Sequence, residues 1–165
     1  MTISKEMFRS SMSLFPGAVT LITVGEGDER RGLTATAVCS LTDEPPSLLI
    51  CVNRKVDACD VISREAKFSV QLLAESENDL AMRFAGAGGT HGAEKFDVGH
   101  WTQDALGLPV LETAVASLSC TVTSESDNGS HRVFIGRIDE ARLRPEAGNA
   151  LVYAKSRFHR IEEAG

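Results

Sequence analysis

Residues 117–123 read Ser-Leu-Ser-Cys-Thr-Val-Thr, hydroxyl side chains alternating one for one with apolar ones. A period of two puts successive side chains on opposite faces of an extended chain, so this stretch predicts a strand with one face turned inward. Further β-forming runs recur at 18–24, 33–41, 48–52, 68–73, 131–143 and 151–153, bounded by turn residues. The first two flank a charged, glycine-containing turn at 25–31 and read as a hairpin, and Asp127-Asn128-Gly129 supplies the turn before 131–143. Pro45-Pro46 breaks the chain ahead of 48–52, because neither ring nitrogen donates a ladder hydrogen bond. Helical spacing is confined to short stretches, at 5–15 with Phe8, Met12 and Phe15, at 56–65, and at 78–85. Strands separated by turns, with three small helices, predict a mainly β fold with short helices, a barrel with helical caps.

A chain of 165 residues with 42% hydrophobic content suits one domain over 1–165. The net charge of −6 gives no general attraction to nucleic acid or to an anionic membrane, so any bound anion must be met by local basic residues. The first ten residues lack the basic and apolar regions of a signal peptide, and nowhere do about 18 apolar residues run together. A cytoplasmic location is the expectation. Cys39, Cys51, Cys59 and Cys120 form no CxxC pair and read as reduced, mostly buried thiols. His91, His100 and His159 match no metal-ligand spacing, so no metal is expected. No GxSxG elbow supports a serine hydrolase, and Gly25-Glu26-Gly27 does not begin a Rossmann fingerprint. Residues 86–92 hold four glycines and read as a loop, with too little side chain to pack.

Three blocks carry a family likeness. The longest runs Leu33-Thr34-Ala35-Thr36-Ala37-Val38-Cys39-Ser40, then Asp43, Pro45-Pro46-Ser47-Leu48 and Cys51-Val52-Asn53. The second is Gly129-Ser130-His131, and the third Leu151-Val152-Tyr153-Ala154-Lys155-Ser156-Arg157-Phe158-His159. Smaller echoes stand at Phe8-Arg9, at residues 82–86 and at Glu94-Lys95-Phe96. Together the blocks resemble the short-chain flavin reductases of two-component aromatic monooxygenases, and within them the reductase component of 4-hydroxyphenylacetate 3-monooxygenase. The resemblance implies an FMN-binding split β-barrel, a Greek-key barrel of flavin reductase-like type. It further implies a homodimer and NAD(P)H-dependent reduction of FMN or FAD, the reduced flavin passing by diffusion to a separate flavin-dependent monooxygenase. The alternative left open is a non-catalytic flavin-binding or electron-carrier protein of the same fold.

By the resemblance, the isoalloxazine lies along Thr34, Ala35, Thr36 and Ala37, where small residues let backbone N–H groups approach its polar edge. The same threonines also suit ordinary alternation along a strand. Ser40 is a candidate for the ribityl chain or ring edge, or bonds its own backbone. Cys51 and Asn53 belong to the same cofactor block. Arg54, ahead of the helix at 56–65, is the best local anion site and would meet a phosphate together with helical N–H groups. Lys95 and Phe96 match the basic-aromatic step that reaches the flavin phosphate. His131 is the catalytic candidate beside nicotinamide and ring. Hydride transfer needs no nucleophile, only the nicotinamide C4 held about 3 to 3.5 Å from flavin N5, so His131 would orient or stabilise charge. Tyr153 and Arg157 complete the NAD(P)H side, with Tyr153 alternatively a strand residue at the dimer interface.

Overall fold

Seven antiparallel strands carry the fold, and their order explains where it is left open. The computed structural model describes residues 1–165. Helix α1 (Lys5–Ser13) leads into β1 (Gly17–Ala18), β2 (Thr20–Val24), β3 (Arg31–Ala35), β4 (Val38–Asp43) and β5 (Pro46–Asn53). Helix α2 (Asp57–Glu65), β6 (Lys67–Leu72) and α3 (Asn78–Phe84) follow, then the short pair β7 (Trp101–Gln103) and β8 (Pro109–Leu111). The long strands β9 (Ala116–Asn128) and β10 (His131–Leu143) precede β11 (Val152–Ala154) and β12 (Arg157–His159). The main sheet runs β3-β2-β6-β9-β10-β5-β4. Its two outermost strands, β3 and β4, are consecutive in the chain and joined by Thr36 and Ala37 alone. The sheet therefore curls until its edges approach, and a two-residue bridge crosses a seam that no ladder closes.

The expected single strand over 33–41 is thus two strands on opposite edges. Its first half pairs with β2 as the hairpin requires, with Leu21 opposite Thr34, but its second half pairs with β5, with Val38 opposite Ile50. Between β9 and β10 the turn is only Gly129-Ser130, since His131 faces Asn128 directly. Gly129 takes φ +59 there, a left-handed conformation that costs glycine nothing.

Inside the curl, Ile22, Val24, Ile50, Val52, Phe68 and Phe134 form the main core, and α2 adds Ala58, Val61 and Ile62. Phe68 packs so tightly on Gly136 that a Cβ there would lie 2.6 Å from its ring. A second core on the outer face of β2 joins Leu21, Leu80, Phe84, Phe96, Leu111 and Leu151. The pair β7–β8, which carries no alternation in the sequence, covers that face and corrects one expectation about β9. Ser117 and Ser119 do not face water but are buried around Gln71. Gln71 Oε1 accepts from Ser117 Oγ at 2.7 Å and from the Leu111 N–H at 3.1 Å, while its Nε2 donates to Ser69 Oγ at 2.7 Å. Near the chain end, residues 157–159 add β12, paired with β11. Cys59 and Cys120 are buried, but Cys39 is exposed and Cys51 half-buried, so the thiols are less buried than composition suggests.

Candidate active site

At the seam, two main-chain hydrogen bonds hold the bridge. The Val38 N–H donates to the Thr36 carbonyl at 2.9 Å and the Cys51 N–H to the Ala37 carbonyl at 3.1 Å, which fixes the bridge against β5. The N–H groups of Thr36 and Ala37 find no acceptor within the chain, and both residues are exposed. Side chains on either side are tied down. Thr34 Oγ1 donates to the Ala81 carbonyl of α3 at 2.5 Å, and Thr20 Oγ1 to the Ala35 carbonyl at 2.7 Å. The hydroxyl of Thr34 is therefore a staple between β3 and α3, and what the segment offers a ligand is its pair of free amides.

Two hollows meet over this segment and share Thr34, Ala35, Thr36 and Ala85. One, about 260 Å³, is walled by Val19, Ala81, Met82, Tyr153 and Phe158. The other, about 370 Å³, is walled by Cys51, Asn53, Val56, Phe84, Lys95 and His131. The result is one groove, apolar at the Tyr153 end and polar at the His131 end. Tyr153 and Phe158 meet edge-on at 5.3 Å between ring centroids, which braces the apolar end. At the other end, His131 Nδ1 lies 2.8 Å from Ser130 Oγ. Lys95 is buried to 8% exposure, and its ammonium donates to the Gly32 and Phe84 carbonyls, each at 3.0 Å. Burial lowers its pKa below the ordinary lysine value, with the Asp57 carboxylate opposing the shift. An ammonium has three N–H donors, so one remains for a ligand.

The groove thus gathers Thr34, Ala35, Thr36, Ala37, Cys51, Asn53, Lys95, His131 and Tyr153. Four expected residues stand outside it. Phe96 is a core residue, 4% exposed and packed edge-on against Phe84 and Trp101. Ser40 is exposed on β4, three residues beyond the bridge, and Arg157 is exposed at the start of β12. Arg54 lines a separate polar hollow, where its guanidinium donates to the Gly129 carbonyl and pairs with Asp127. Of the helical N–H groups expected beside Arg54, that of Ala58 is taken by Asp57 Oδ1 at 2.9 Å. Conversely, Val19, Met82, Ala85 and Phe158 were not expected. Ala81 and Ala85 show the i, i+4 spacing of one helix face, the one signal that marks the end of α3 as a wall.

A family model described as flavin reductase like domain matches residues 12–162. The chain belongs to the flavin reductase-like family. Among relatives of this family, the FMN reductase (NADH) RutF of Stutzerimonas stutzeri is 33% identical, over 98% of this chain and 91% of its own. The reductase component of 4-hydroxyphenylacetate 3-monooxygenase from Escherichia coli is 37% identical, over 93% of this chain and 90% of its own. The solved structure of the NADH:FAD oxidoreductase SgcE6 of Streptomyces globisporus superposes with a TM-score of 0.87 at 27% identity, covering 100% of this chain and 94% of that one. With these flavin reductase-like relatives the split β-barrel fold is established.

The groove suits a flavin on its own geometry. An isoalloxazine is a planar apolar ring with acceptors along one edge, and the groove supplies apolar walls with two unpaired N–H donors where the walls meet. Lys95, with one donor left, suits an anionic arm or the electron-rich ring edge.

Proposed function

We propose that this chain is an NAD(P)H:flavin oxidoreductase that reduces FAD or FMN and supplies it to a separate flavin-dependent monooxygenase. The observation that carries this reading is the pair of free amides at Thr36 and Ala37, set in an open groove with His131 at one end and Tyr153 at the other. When bound, the flavin supplies the acceptor for a hydride from the nicotinamide. The chain's part is to hold and orient. The amides of Thr36 and Ala37 donate to the acceptor edge of the ring, while Val19, Met82 and Phe158 exclude water from its apolar side. Lys95 gives its remaining N–H to the anionic arm or the ring edge, and His131 orients the nicotinamide and stabilises charge growing on the ring. Tyr153 and Arg157 flank the nicotinamide nucleotide.

The working unit in this reading is a homodimer of one-domain chains in the cytoplasm, with flavin exchanged by diffusion. No helix is long and apolar enough to cross a membrane. An open, solvent-accessible groove agrees with a flavin that leaves after reduction rather than one locked in place. The test is NADH and NADPH oxidation followed at 340 nm with FMN and with FAD. Oxidation that scales with added free flavin is expected. Protein that keeps its flavin through gel filtration and ignores both nicotinamides would make it a carrier instead.

A further inference from the structure

The turn that delivers His131 to the groove is held from its far side by a cluster of charges. Asp127 is the centre of it. Arg132 reaches both its carboxylate oxygens, Nε to Oδ1 at 2.6 Å and Nη2 to Oδ2 at 3.2 Å, a fork meeting a fork. Arg54 approaches from β5, with Nη2 3.4 Å from Asp127 Oδ2. It then holds the turn twice more, its Nη1 donating to the Gly129 carbonyl at 3.2 Å and its backbone N–H to the Ser130 carbonyl at 2.9 Å. Arg132 Nη1 also donates to Ser63 Oγ of α2 at 2.8 Å, and Glu125 stands 3.8 Å from the same guanidinium. Arg54, Arg132 and the turn residues Gly129 and Ser130 border a polar hollow of about 370 Å³ that Lys55 and Asp60 complete.

Strand alternation sets the two functions apart. His131 and Arg132 are neighbours on β10, so their side chains leave opposite faces, one into the groove and the other into the charge cluster. The wall between hollow and groove is Asn53-Arg54 at the end of β5 and Ser130-His131 at the start of β10. Asp127 is 41% exposed at its side chain, and pairs so open contribute little to stability. Bidentate geometry on a two-residue turn fixes orientation instead.

We propose that Asp127, gripped by Arg54 and Arg132, is a positioning residue that sets where the His131 imidazole stands in the groove. The proposal rests on the reading of His131 given above as the group beside the nicotinamide. It gives Arg54 a task at the turn, beside the phosphate binding expected from the sequence.

The test is a double-mutant cycle of Asp127→Asn and His131→Ala, with turnover measured at saturating NADH and flavin, flavin affinity by fluorescence, and unfolding by heat. Asp127→Asn is expected to lower kcat about tenfold, since small misplacements of an orienting group cost that much or more. Flavin affinity and the unfolding midpoint should stay at wild-type values. In the His131→Ala background the same change should cost nothing further, because a residue that acts only through His131 has nothing left to act on. Losses that multiply in full, or an Asp127→Asn enzyme as fast as wild type, overturn the proposal. Arg54→Gln is expected to repeat the Asp127→Asn pattern, and weakened flavin binding with turnover intact would overturn its place in the clamp. A His131→Ala enzyme that keeps full turnover would instead remove the reading of His131 itself, and the clamp with it.

Discussion

Four thiols in one chain report on the groove at the scale of single residues. Burial pushes the Cys120 thiol up to about 12 and raises that of Cys59 as well, so at pH 8 both stay neutral, buried and inert. Cys39 is exposed on β4, and Cys51 lines the groove beside the Ala37 bridge. Alkylation at pH 8 followed by peptide mapping should label Cys39 quickly, Cys51 slowly, and the other two not at all. Added FMN should protect Cys51 and leave Cys39 unchanged; equal labelling of Cys51 with and without flavin would take the ring out of this groove. Lys95 tests the same site through charge. A buried ammonium satisfied by two carbonyls keeps its attraction for an anionic ligand, and Lys95→Met removes that while keeping most of the volume. Flavin affinity should fall by about 1.5 to 3 kcal/mol, the usual range for a charged hydrogen bond. The sign of the pH effect follows from the lowered pKa: as pH rises through it the proton and the attraction are lost together, so wild-type affinity should weaken below the ordinary lysine range while Lys95→Met stays flat.

Among the elements, β6 and β9 owe their packing to Gln71, whose amide spans three strands of the outer face and the cover laid over it. Gln71 is 0% exposed, and Gln71→Leu would strand the Leu111 N–H and the Ser117 hydroxyl without water to replace it. The expected cost is on the order of 3 kcal/mol of stability, read from urea unfolding, with the flavin groove unaffected. A Gln71→Leu protein as stable as wild type would show that the cover relaxes to admit solvent. How much of this was legible follows from the same strands. The alternation at 117–123 located β9, but burial of its polar face was invisible, because β7–β8, which covers that face, carries no periodicity. The 33–41 segment reads as one strand since Thr-Ala-Thr-Ala-Val favours extended backbone throughout; only pairing with β5 reveals the break at Thr36 and Ala37. That break is where a ligand would lie, so the residues were named from family likeness while the reason, two amides left without acceptors, needed the sheet order. Phe96 and Arg54 went the other way. Each looks like a binding residue in sequence, yet Phe96 packs in an aromatic core and Arg54 contacts the 129–130 turn outside the groove.

For the molecule as a whole, α1 poses the remaining physical problem. It is nine residues long and buries none of them, though Phe8 and Met12 share one face, four apart. A helix this short is marginal in water unless something covers its apolar face. Leu14 and Phe15 continue the patch beyond its end at 62% and 68% exposure, and the Lys155 N–H donates to the Ser13 carbonyl, which ties the helix to the β11–β12 turn beside Tyr153. The proposed homodimer resolves this: a second copy laid on α1 would bury Phe8, Met12 and Phe15 together and reach the Tyr153 end of the groove. Phe8, Met12 and Phe15 still expose 56%, 47% and 68% of their surface, and taking that apolar area out of water is the driving force such a contact would have. Light scattering behind gel filtration should give twice the 17.7 kDa chain mass. Phe8→Asp combined with Met12→Asp should give the single mass, with the barrel still folded by circular dichroism because neither residue belongs to either core. If the doubly substituted chain stays at twice the mass, the interface lies elsewhere and α1 is covered by something other than its own kind.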